Sequence, residues 1–334
     1  MPRFRLDEEK ENLFSLYQSI HSSLLNNIVG SKIDELEQEV PFKGKKIDIC
    51  GWADKINQNL FVEVQLIPAD MRHMDMVKTI ISNINKGIIV WEALTFAKRE
   101  HLIEEVVEFI KSQKKPVNVL FAVVNPEVIP VLEQLSMLYP LNVIPNLGRL
   151  SQVKEPLKII ARYNGKGNGE KHQGLWQQNI CKPFQLEPES LSTRLGSNLY
   201  LIKKIRKDMW YYPPVYRAKS RLDTNAIVYG AGNGNIYEIS IRDAYSHLKL
   251  RIPRKNSDTF KELKTRKENI ENVIGYAVNF REKISSFILD IPILTFGRPR
   301  TEVLDEIVQL FERFVRYFTS FFDEKEKERK VVSF

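Results

Sequence analysis

Residues 45–66 read KKIDICGWADKINQNLFVEVQL, and this stretch decides the fold of the N-terminal half of the chain. Two runs with the composition of β-strands, 46–50 and 59–66, flank the polar segment 54–59, whose residues favour a tight turn. Each run carries an acid where a buried strand is expected to be apolar, Asp48 in the first and Glu63 in the second. The stretch therefore predicts a β-hairpin that contains two carboxylates.

The alternation of side chains along a strand gives these acids a predicted direction. Glu63 and Gln65 are two residues apart and project to the same face, and a hairpin brings Asp48 opposite Glu63. Two carboxylates held close together repel unless a cation lies between them. Mg²⁺ commonly binds one or two carboxylates together with water and a substrate phosphate. The pattern predicts a site for Mg²⁺ or Mn²⁺ on Asp48 and Glu63, where a phosphoryl group is polarised and water is activated.

Hydrophobic periodicity outside the hairpin predicts helices and strands in alternation. Pro68 is predicted to open the second helix, and Thr95 to cap the third. The predicted order is helix 9–27, strand 35–42, the hairpin, helix 68–85, strand 87–94, helix 95–113, strand 117–124 and helix 126–138. This order is typical of an α/β fold with a mixed sheet flanked by helices.

The sequence of the second half of the chain predicts a smaller α+β domain. The segment 162–174 is a polar, glycine-rich loop, and YGAGNGN (229–235) is a hairpin turn, since it lacks the third glycine of a nucleotide-binding loop. The predicted strands are 225–231, 235–241, 248–253 and 285–294, and the predicted helices are 257–274 and 301–322. We expect a first domain over 1–150, a basic linker region over 151–222 and the α+β domain over 223–334.

Composition excludes several classes of protein. No run approaches the roughly 18 apolar residues that a membrane helix needs, and the start MPRFRLDEEKENLF has no apolar signal region. The two cysteines, Cys50 and Cys181, cannot form a disulfide framework, and no pair of histidines has zinc-ligand spacing. We therefore expect a cytoplasmic protein that has no membrane partner.

The net charge of +8 is unevenly distributed along the chain. Residues 1–150 hold 17 basic and 20 acidic side chains, whereas residues 151–221 hold 14 and 5. The stretch KKIRKDMWYYPPVYRAKSR (203–221) interleaves seven basic residues with aromatic ones, and Pro213-Pro214 predicts a loop or an extended arm. Such a stretch favours contact with nucleic acid, through phosphates and stacked bases. The alternative is that the aromatic residues are core anchors between the domains. The nucleic-acid candidates are Lys45, Lys46, Lys203, Lys204, Arg206, Lys207, Trp210, Tyr211 and Arg217.

The order of a helix, a hairpin with Asp48 and a strand with Glu63-Val64-Gln65 resembles the PD-(D/E)xK, restriction-endonuclease-like superfamily. Ile47 stands where that signature has proline, and Gln65 stands where it has lysine. The resemblance implies a restriction-endonuclease-like mixed sheet and DNA cleavage with Mg²⁺. Asp48 and Glu63 would hold the metal, and Gln65 would orient the attacking water.

A closer resemblance is to bacterial proteins that pair a nuclease-like N-terminal domain with a C-terminal domain of unassigned function. Those proteins read E-x-Q-L followed by D-x-x-H, here Glu63 to Leu66 followed by Asp70 and His73. The segments 260–275 and 304–322 are similar to their second module. Together the matches cover roughly 1–125 and 235–322. They imply a role in bacterial antiviral defence or DNA processing.

Several alternatives stay open on the sequence. Asp48 and Glu63 are also compatible with an exposed sheet face, and His73 with a helix surface. Glu39 and, with a weaker case, Glu11 are supporting candidates that also suit solvent-facing positions. The first hypothesis is a metal-dependent nuclease that acts on DNA, with RNA not excluded; a homodimer would supply two sites for double-strand cutting. The second is a catalytically inactive protein of the same fold that binds nucleic acid or a protein partner.

Overall fold

The computed structural model describes residues 3–138, 140–165, 188–216 and 224–332. The chain divides into two compact units, the first comprising residues 1–138 and 145–184 and the second residues 139–144 and 185–334. Helix α6 (Pro140–Asn146) includes residues of both units. The loop predicted over 162–174 and Cys181 lie largely or wholly outside the described residues, and so does Arg217.

The first unit is built on a six-stranded mixed sheet in the order β1-β2-β3-β4-β5-β6. Strands β3, β4 and β5 are parallel, and the other neighbours are antiparallel. This confirms the α/β class predicted from the alternation of helices and strands. The elements are α1 (Arg3–Ile20), α2 (Ser23–Val29), β1 (Ile33–Phe42), β2 (Lys45–Ala53), β3 (Gln58–Val64), α3 (Met71–Asn83), β4 (Gly87–Ala93), α4 (Glu100–Gln113), β5 (Val117–Val124), α5 (Val128–Ser136) and β6 (Leu157–Asn164), besides the helix α6 that the two units share.

Both faces of this sheet are covered. On one face, apolar residues of α3 and α4 form a core with alternate strand residues such as Phe61 and Trp91. Helix α1 packs against α5 and contacts β1, β2 and β3. The strand residues that alternate with the first set, such as Val62 and Val90, are also buried. A central parallel pair buried on two faces explains why β4 and β5 read as continuous apolar runs.

The second unit is built on a five-stranded antiparallel sheet in the order β10-β11-β9-β8-β7. Its core includes the apolar stripe of the long helix α10, with Phe311, Phe314 and Phe318 fully buried. The elements are α7 (Arg194–Asp208), β7 (Ile227–Gly232), β8 (Asn235–Ser240), β9 (Tyr245–Pro253), α8 (Ser257–Thr265), α9 (Lys267–Ile274), β10 (Asn279–Glu282), β11 (Ser286–Leu294) and α10 (Arg300–Val332).

The hairpin predicted from YGAGNGN is confirmed. Strands β7 and β8 are antiparallel and are joined at Asn233 and Gly234, which have φ angles of 51° and 78°. Positive φ at both central residues is the geometry for which Asn-Gly is favoured in two-residue hairpins.

Several boundaries differ from the prediction. The first predicted helix is two helices, α1 and α2, and α3 begins at Met71 rather than at Pro68. Pro68 instead forms an isolated parallel bridge with Thr95, so Thr95 lies in extended backbone and does not cap α4. Helix α7 and strands β6 and β10 were not predicted. Of the helices in the described residues, none is long and apolar enough to cross a bilayer.

Candidate active site

A row of three carboxylates crosses the first three strands. In the ladder between β1 and β2, Gln38 pairs with Ile49 and Val40 pairs with Ile47, so Glu39 lies opposite Asp48. The ladder between β2 and β3 ends one pair before Asp48, and continuing its register puts Asp48 opposite Glu63. Residues directly opposite one another in antiparallel strands lie close together. The hairpin thus aligns the two acids that the sequence singled out and adds Glu39 to them.

These acids are buried to different degrees. Only 3% of the surface of Glu63 and 6% of that of Glu39 is exposed, and Asp48 is half-buried. The alternative in which Glu63 and Glu39 face solvent is therefore wrong. Buried acids are rare unless they are paired or bound to a cation, so the burial itself requires an explanation.

One buried carboxylate oxygen of the row has no hydrogen-bond partner among the described residues. Oδ2 of Asp48 accepts a hydrogen bond from the backbone N–H of Val64 at 2.7 Å. Oε2 of Glu39 is paired with the ammonium group of Lys46. Oε1 of Glu63 is buried and has no hydrogen-bond partner among the described residues. An unpartnered buried oxygen beside further carboxylates is suited to a cation.

The electrostatics of the row favour protons or a cation. Burial, and then the charge of Glu39, raises the pKa of Asp48 to about 8, although the hydrogen bond from Val64 opposes the shift. Burial, and then the charges of Asp48 and Glu39, raises the pKa of Glu63 well above its usual value. Lys45 and Arg72 oppose that shift at longer range. The nearby cations thus do not fully compensate the carboxylates.

Glu39 is held in an unusual backbone conformation. Its φ angle is 54°, a left-handed value that is uncommon for residues other than glycine. Such residues cost of order 1–3 kcal/mol and persist where the surrounding structure imposes them. The structure around Glu39 therefore holds this residue in its position in the row of carboxylates.

Gln65 has a different environment from that predicted. It is fully buried, its Nε2 donates to the carbonyl oxygen of Pro68 at 2.7 Å, and its Oε1 accepts from Nε1 of Trp91 at 3.3 Å. Both ends of the amide therefore fix the chain after β3 to the core of the unit. Its role in orienting a water stays a prediction.

Asp70 and His73 form the N-terminal cap of α3. Oδ1 of Asp70 accepts from the backbone N–H of His73 at 3.0 Å and lies 2.9 Å from Nδ1 of the same residue. This is the arrangement by which an aspartate at the N-cap satisfies the first turn of a helix. The spacing D-x-x-H is thus accounted for by helix capping.

Glu92 is a buried acid that the sequence prediction missed. It lies on β4, is fully buried, and accepts a hydrogen bond from Nε2 of Gln18 at 2.8 Å. Burial raises its pKa to about 8, with a smaller contribution from Asp48 and an opposing one from Gln18. The signal was present, since Glu92 interrupts an apolar strand just as Asp48 and Glu63 do. Glu11 of α1 also contributes to the pKa of Asp48 and accepts from the backbone N–H of Leu66 at 3.0 Å.

Between residues 203 and 216, the basic aromatic segment is not an extended arm. Residues 203–208 form the end of α7, and Pro213–Tyr216 form a short 3₁₀ helix. Tyr212 is fully buried in the core of the second unit, and the Tyr211 hydroxyl donates to Glu312. These two tyrosines therefore belong to the core of the second unit, while their role as anchors between the domains stays a prediction. Trp210 is 53% exposed.

The basic candidates also differ in their partners. The ammonium group of Lys204 lies 3.7 Å from both Asp208 and Asp305, and Arg206 donates to the backbone carbonyls of Val215 and Tyr216. Lys45 and Lys207 are exposed, whereas Lys46 is half-buried against Glu39 and Lys203 is half-buried on α7.

No protein-family model matches this chain, and no curated protein is similar to it at a significant level. Within the part of the chain that the structure describes, no group of three or more His, Cys, Asp or Glu side chains is arranged to hold a metal ion. The resemblance to PD-(D/E)xK nucleases therefore rests on the quoted residues, and the prediction of a metal site rests on the pair Asp48 and Glu63.

Proposed function

We propose that the first unit is a metal-dependent nuclease that cleaves phosphodiester bonds in DNA at the row formed by Glu39, Asp48 and Glu63. The observation that carries the proposal is the buried Glu63 oxygen without a hydrogen-bond partner, beside a second carboxylate whose pKa is raised to about 8. Burying carboxyl groups that resist ionisation lowers the stability of the fold. Acids whose pKa is strongly shifted often belong to functional sites.

The residues present fit a hard divalent cation with two protein ligands. Asp48 and Glu63 offer carboxylate oxygens, the ligands that Mg²⁺ and Mn²⁺ prefer. Mg²⁺ keeps several waters and is often held by one or two carboxylates and the substrate phosphate, so a third protein ligand is not required. When bound, the cation would polarise the scissile phosphate and lower the pKa of a coordinated water.

The other residues of the site have supporting roles in this proposal. Glu39 and Lys46 neutralise one another and leave Asp48 and Glu63 as the excess charge. The backbone N–H of Val64 fixes the Asp48 carboxylate in one orientation. Gln65 fixes the end of β3 through Trp91 and Pro68, so that Glu63 is held on a rigid element.

The experiment is a cleavage assay on plasmid and single-stranded DNA with Mg²⁺ or Mn²⁺. We expect Asp48→Asn and Glu63→Gln each to lower the cleavage rate at least about a hundredfold, the usual effect of removing one electrostatic contact to a reacting group. Each replacement removes a charge and conserves volume. The matched control is Asp54→Asn, which changes an exposed acid in the turn of the same hairpin.

A second readout separates chemistry from metal binding. Binding of Mn²⁺ by calorimetry should weaken in Asp48→Asn and remain in Asp54→Asn. Since the cation displaces a proton from Asp48, affinity should rise up to about tenfold per pH unit below pH 8. Equal cleavage by all variants would identify a contaminating nuclease and contradict the proposal.

Gln65 favours a second candidate function. Because its amide is used by Pro68 and Trp91, and the signature lysine is absent, the fold is also suited to a protein that binds nucleic acid or a protein partner without cutting. Salt-sensitive binding of DNA with no cleavage at any metal concentration would support this candidate. Cleavage that appears only in the Gln65→Lys variant would support it further.

A further inference from the structure

The second unit contains a pocket lined by arginines. Its volume is about 500 Å³, within the range of roughly 300–1,000 Å³ that ligand pockets usually have. All of its lining residues belong to the second unit, and they include Arg194, Ser197, Arg242, Asp243 and Arg300.

The charge of the lining is positive and incompletely paired. Three guanidinium groups face one carboxylate, that of Asp243, which lies 3.4 Å from Nη2 of Arg300. Nη1 of Arg300 is buried and has no hydrogen-bond partner among the described residues. Arg194 and Arg242 form no side-chain ion pair with any residue that the structure describes. A buried donor without an acceptor is costly, so the pocket is suited to an anion.

The wall that carries Arg194 is fixed by local hydrogen bonds. Thr193 caps α7 by accepting from the backbone N–H of Gly196 at 3.0 Å, and Oγ of Ser197 donates to the carbonyl of Leu191 at 2.6 Å. A Cβ atom at Gly196 would lie 1.7 Å from the carbonyl oxygen of Ser190. The chain before α7 therefore packs too closely to rearrange without disrupting the helix start.

The segments that carry Arg242 and Arg300 are fixed as well. The carbonyl of Ala244 accepts from the backbone N–H groups of Thr295 and Phe296 at 3.0 and 3.2 Å. The backbone N–H of Ser246 donates to Oγ1 of Thr295 at 3.0 Å. The loop that carries Arg242 is thus tied by hydrogen bonds to the segment that leads into α10 and Arg300.

Two exposed aromatic side chains lie close in the sequence to residues that line this pocket. Tyr245 and Phe296 are 50% and 76% exposed, and both adjoin the Ala244 contact that joins the two segments. Aromatic rings at such a position can stack on a nucleobase, which contributes about 1–3 kcal/mol per base.

We propose that this pocket binds the terminal phosphate of a nucleotide, whose base contacts the aromatic residues beside it. A phosphomonoester carries a charge of about −1.5 to −2 at neutral pH, more than an internal phosphodiester. Arginine matches phosphate oxygens with paired donors. The two sources of this group are a free mononucleotide and the phosphorylated end of a nucleic-acid strand. The proposal concerns the second unit and does not depend on cleavage by the first.

The test measures fluorescence anisotropy of short single-stranded oligonucleotides that carry a phosphate at the 5′ end, at the 3′ end or at neither. Divalent cations are chelated so that no cleavage can occur. We expect one phosphorylated form to bind at least tenfold more tightly than the form with two hydroxyl ends. Arg300→Gln and Arg194→Gln should each lower that preference to less than threefold.

Two controls make the result specific. Lys264→Gln removes one exposed charge from the same unit and should leave the preference intact. Phe296→Ala should weaken binding of the oligonucleotide and of adenosine monophosphate without changing competition by inorganic phosphate. Competition by adenosine monophosphate as strong as that by the oligonucleotide identifies a free nucleotide as the ligand, and much weaker competition identifies a strand end.

Equal affinity for phosphorylated and hydroxyl ends would overturn the proposal. An unchanged preference in the double variant Arg194→Gln, Arg300→Gln, with circular dichroism showing a folded protein, would overturn it too. An equal loss in Lys264→Gln would point to general charge attraction and would also overturn it.

Discussion

At the scale of single residues, Glu92 shows what a buried acid costs this protein. Its carboxyl group accepts from Gln18, yet Oε1 of Glu92 and Oε1 of Gln18 are both buried without a hydrogen-bond donor among the described residues. A proton on Glu92 removes the buried charge and supplies a donor to this pair. The raised pKa of about 8 is the consequence.

The free energy of unfolding should therefore depend on Glu92 in a pH-dependent way. Because the folded-state pKa is raised above that of the unfolded chain, the folded state holds more protons between pH 5 and pH 8, and stability falls as pH rises. The slope is up to about 1.4 kcal/mol per pH unit for one group. Glu92→Gln, which resembles the protonated form, should match the native protein at pH 5 and be more stable at pH 8.5.

Urea denaturation at pH 5, 7 and 8.5 measures this difference. The control is Glu104→Gln, which replaces an exposed acid on α4. Its free energy of unfolding should differ from that of the native protein by the same amount at all three pH values. A Glu92→Gln curve that stays parallel to that of the native protein would contradict the assignment of a shifted pKa.

The sequence predicted only part of this residue-level picture. An acid inside an apolar strand is a visible anomaly, so Asp48 and Glu63 could be found, and the same rule applied to β4 would have found Glu92. Glu39 was predicted only as a supporting residue, because this rule does not apply to its strand. Its strand alternates acids with apolar residues, which also suits a half-solvated edge, and only the three-dimensional register shows that Glu39 is buried opposite Asp48.

At the scale of elements, strands were easier to predict than helix ends. The predicted strands of the first sheet, 35–42, 87–94 and 117–124, closely match β1, β4 and β5, because burial on two faces imposes continuous apolar or alternating patterns. Pro68 and Thr95 were misinterpreted because each is also favourable at a helix start. Their pairing across adjacent loops is a tertiary contact that no local pattern records. Helix α7 was missed because Pro213-Pro214 was taken to govern the whole basic segment.

The cap of α3 gives a prediction at this scale. Asp70→Ala removes the acceptor for the first turn and should lower the free energy of unfolding by about 1 kcal/mol. Asp70→Asn keeps a hydrogen-bond acceptor for the first turn and should lower the free energy of unfolding much less. Chemical denaturation measures both changes. Mn²⁺ binding should be unchanged in either variant; if Asp70→Ala lost metal binding with normal stability, Asp70 would belong to the site rather than to the cap.

At the scale of the whole molecule, the chain places two different chemistries in two units. The first contains the row of carboxylates, and the second contains the arginine pocket and most of the basic candidates. The sequence indicated this division through its charge distribution, with 33 basic and 22 acidic residues in 151–334. It did not indicate the pocket, because Arg194, Arg242 and Arg300 are far apart in the sequence and meet only through the packing of α7, α10 and the loop between β8 and β9.

Mutations in the carboxylate row and mutations in the arginine pocket should therefore impair cleavage and phosphate binding independently. Asp48→Asn should abolish metal-dependent cleavage while its affinity for a phosphorylated oligonucleotide, measured with divalent cations chelated, stays within about twofold of the native value, since mutations at separate sites usually add. Arg194→Gln with Arg300→Gln should weaken that binding, yet at saturating DNA the cleavage rate should approach the native rate. Single-turnover kinetics combined with anisotropy measures both quantities. Loss of terminal-phosphate binding in Asp48→Asn, or loss of the saturated cleavage rate in the arginine variant, would show that one composite site does both tasks and would contradict the assignment of binding and chemistry to separate units.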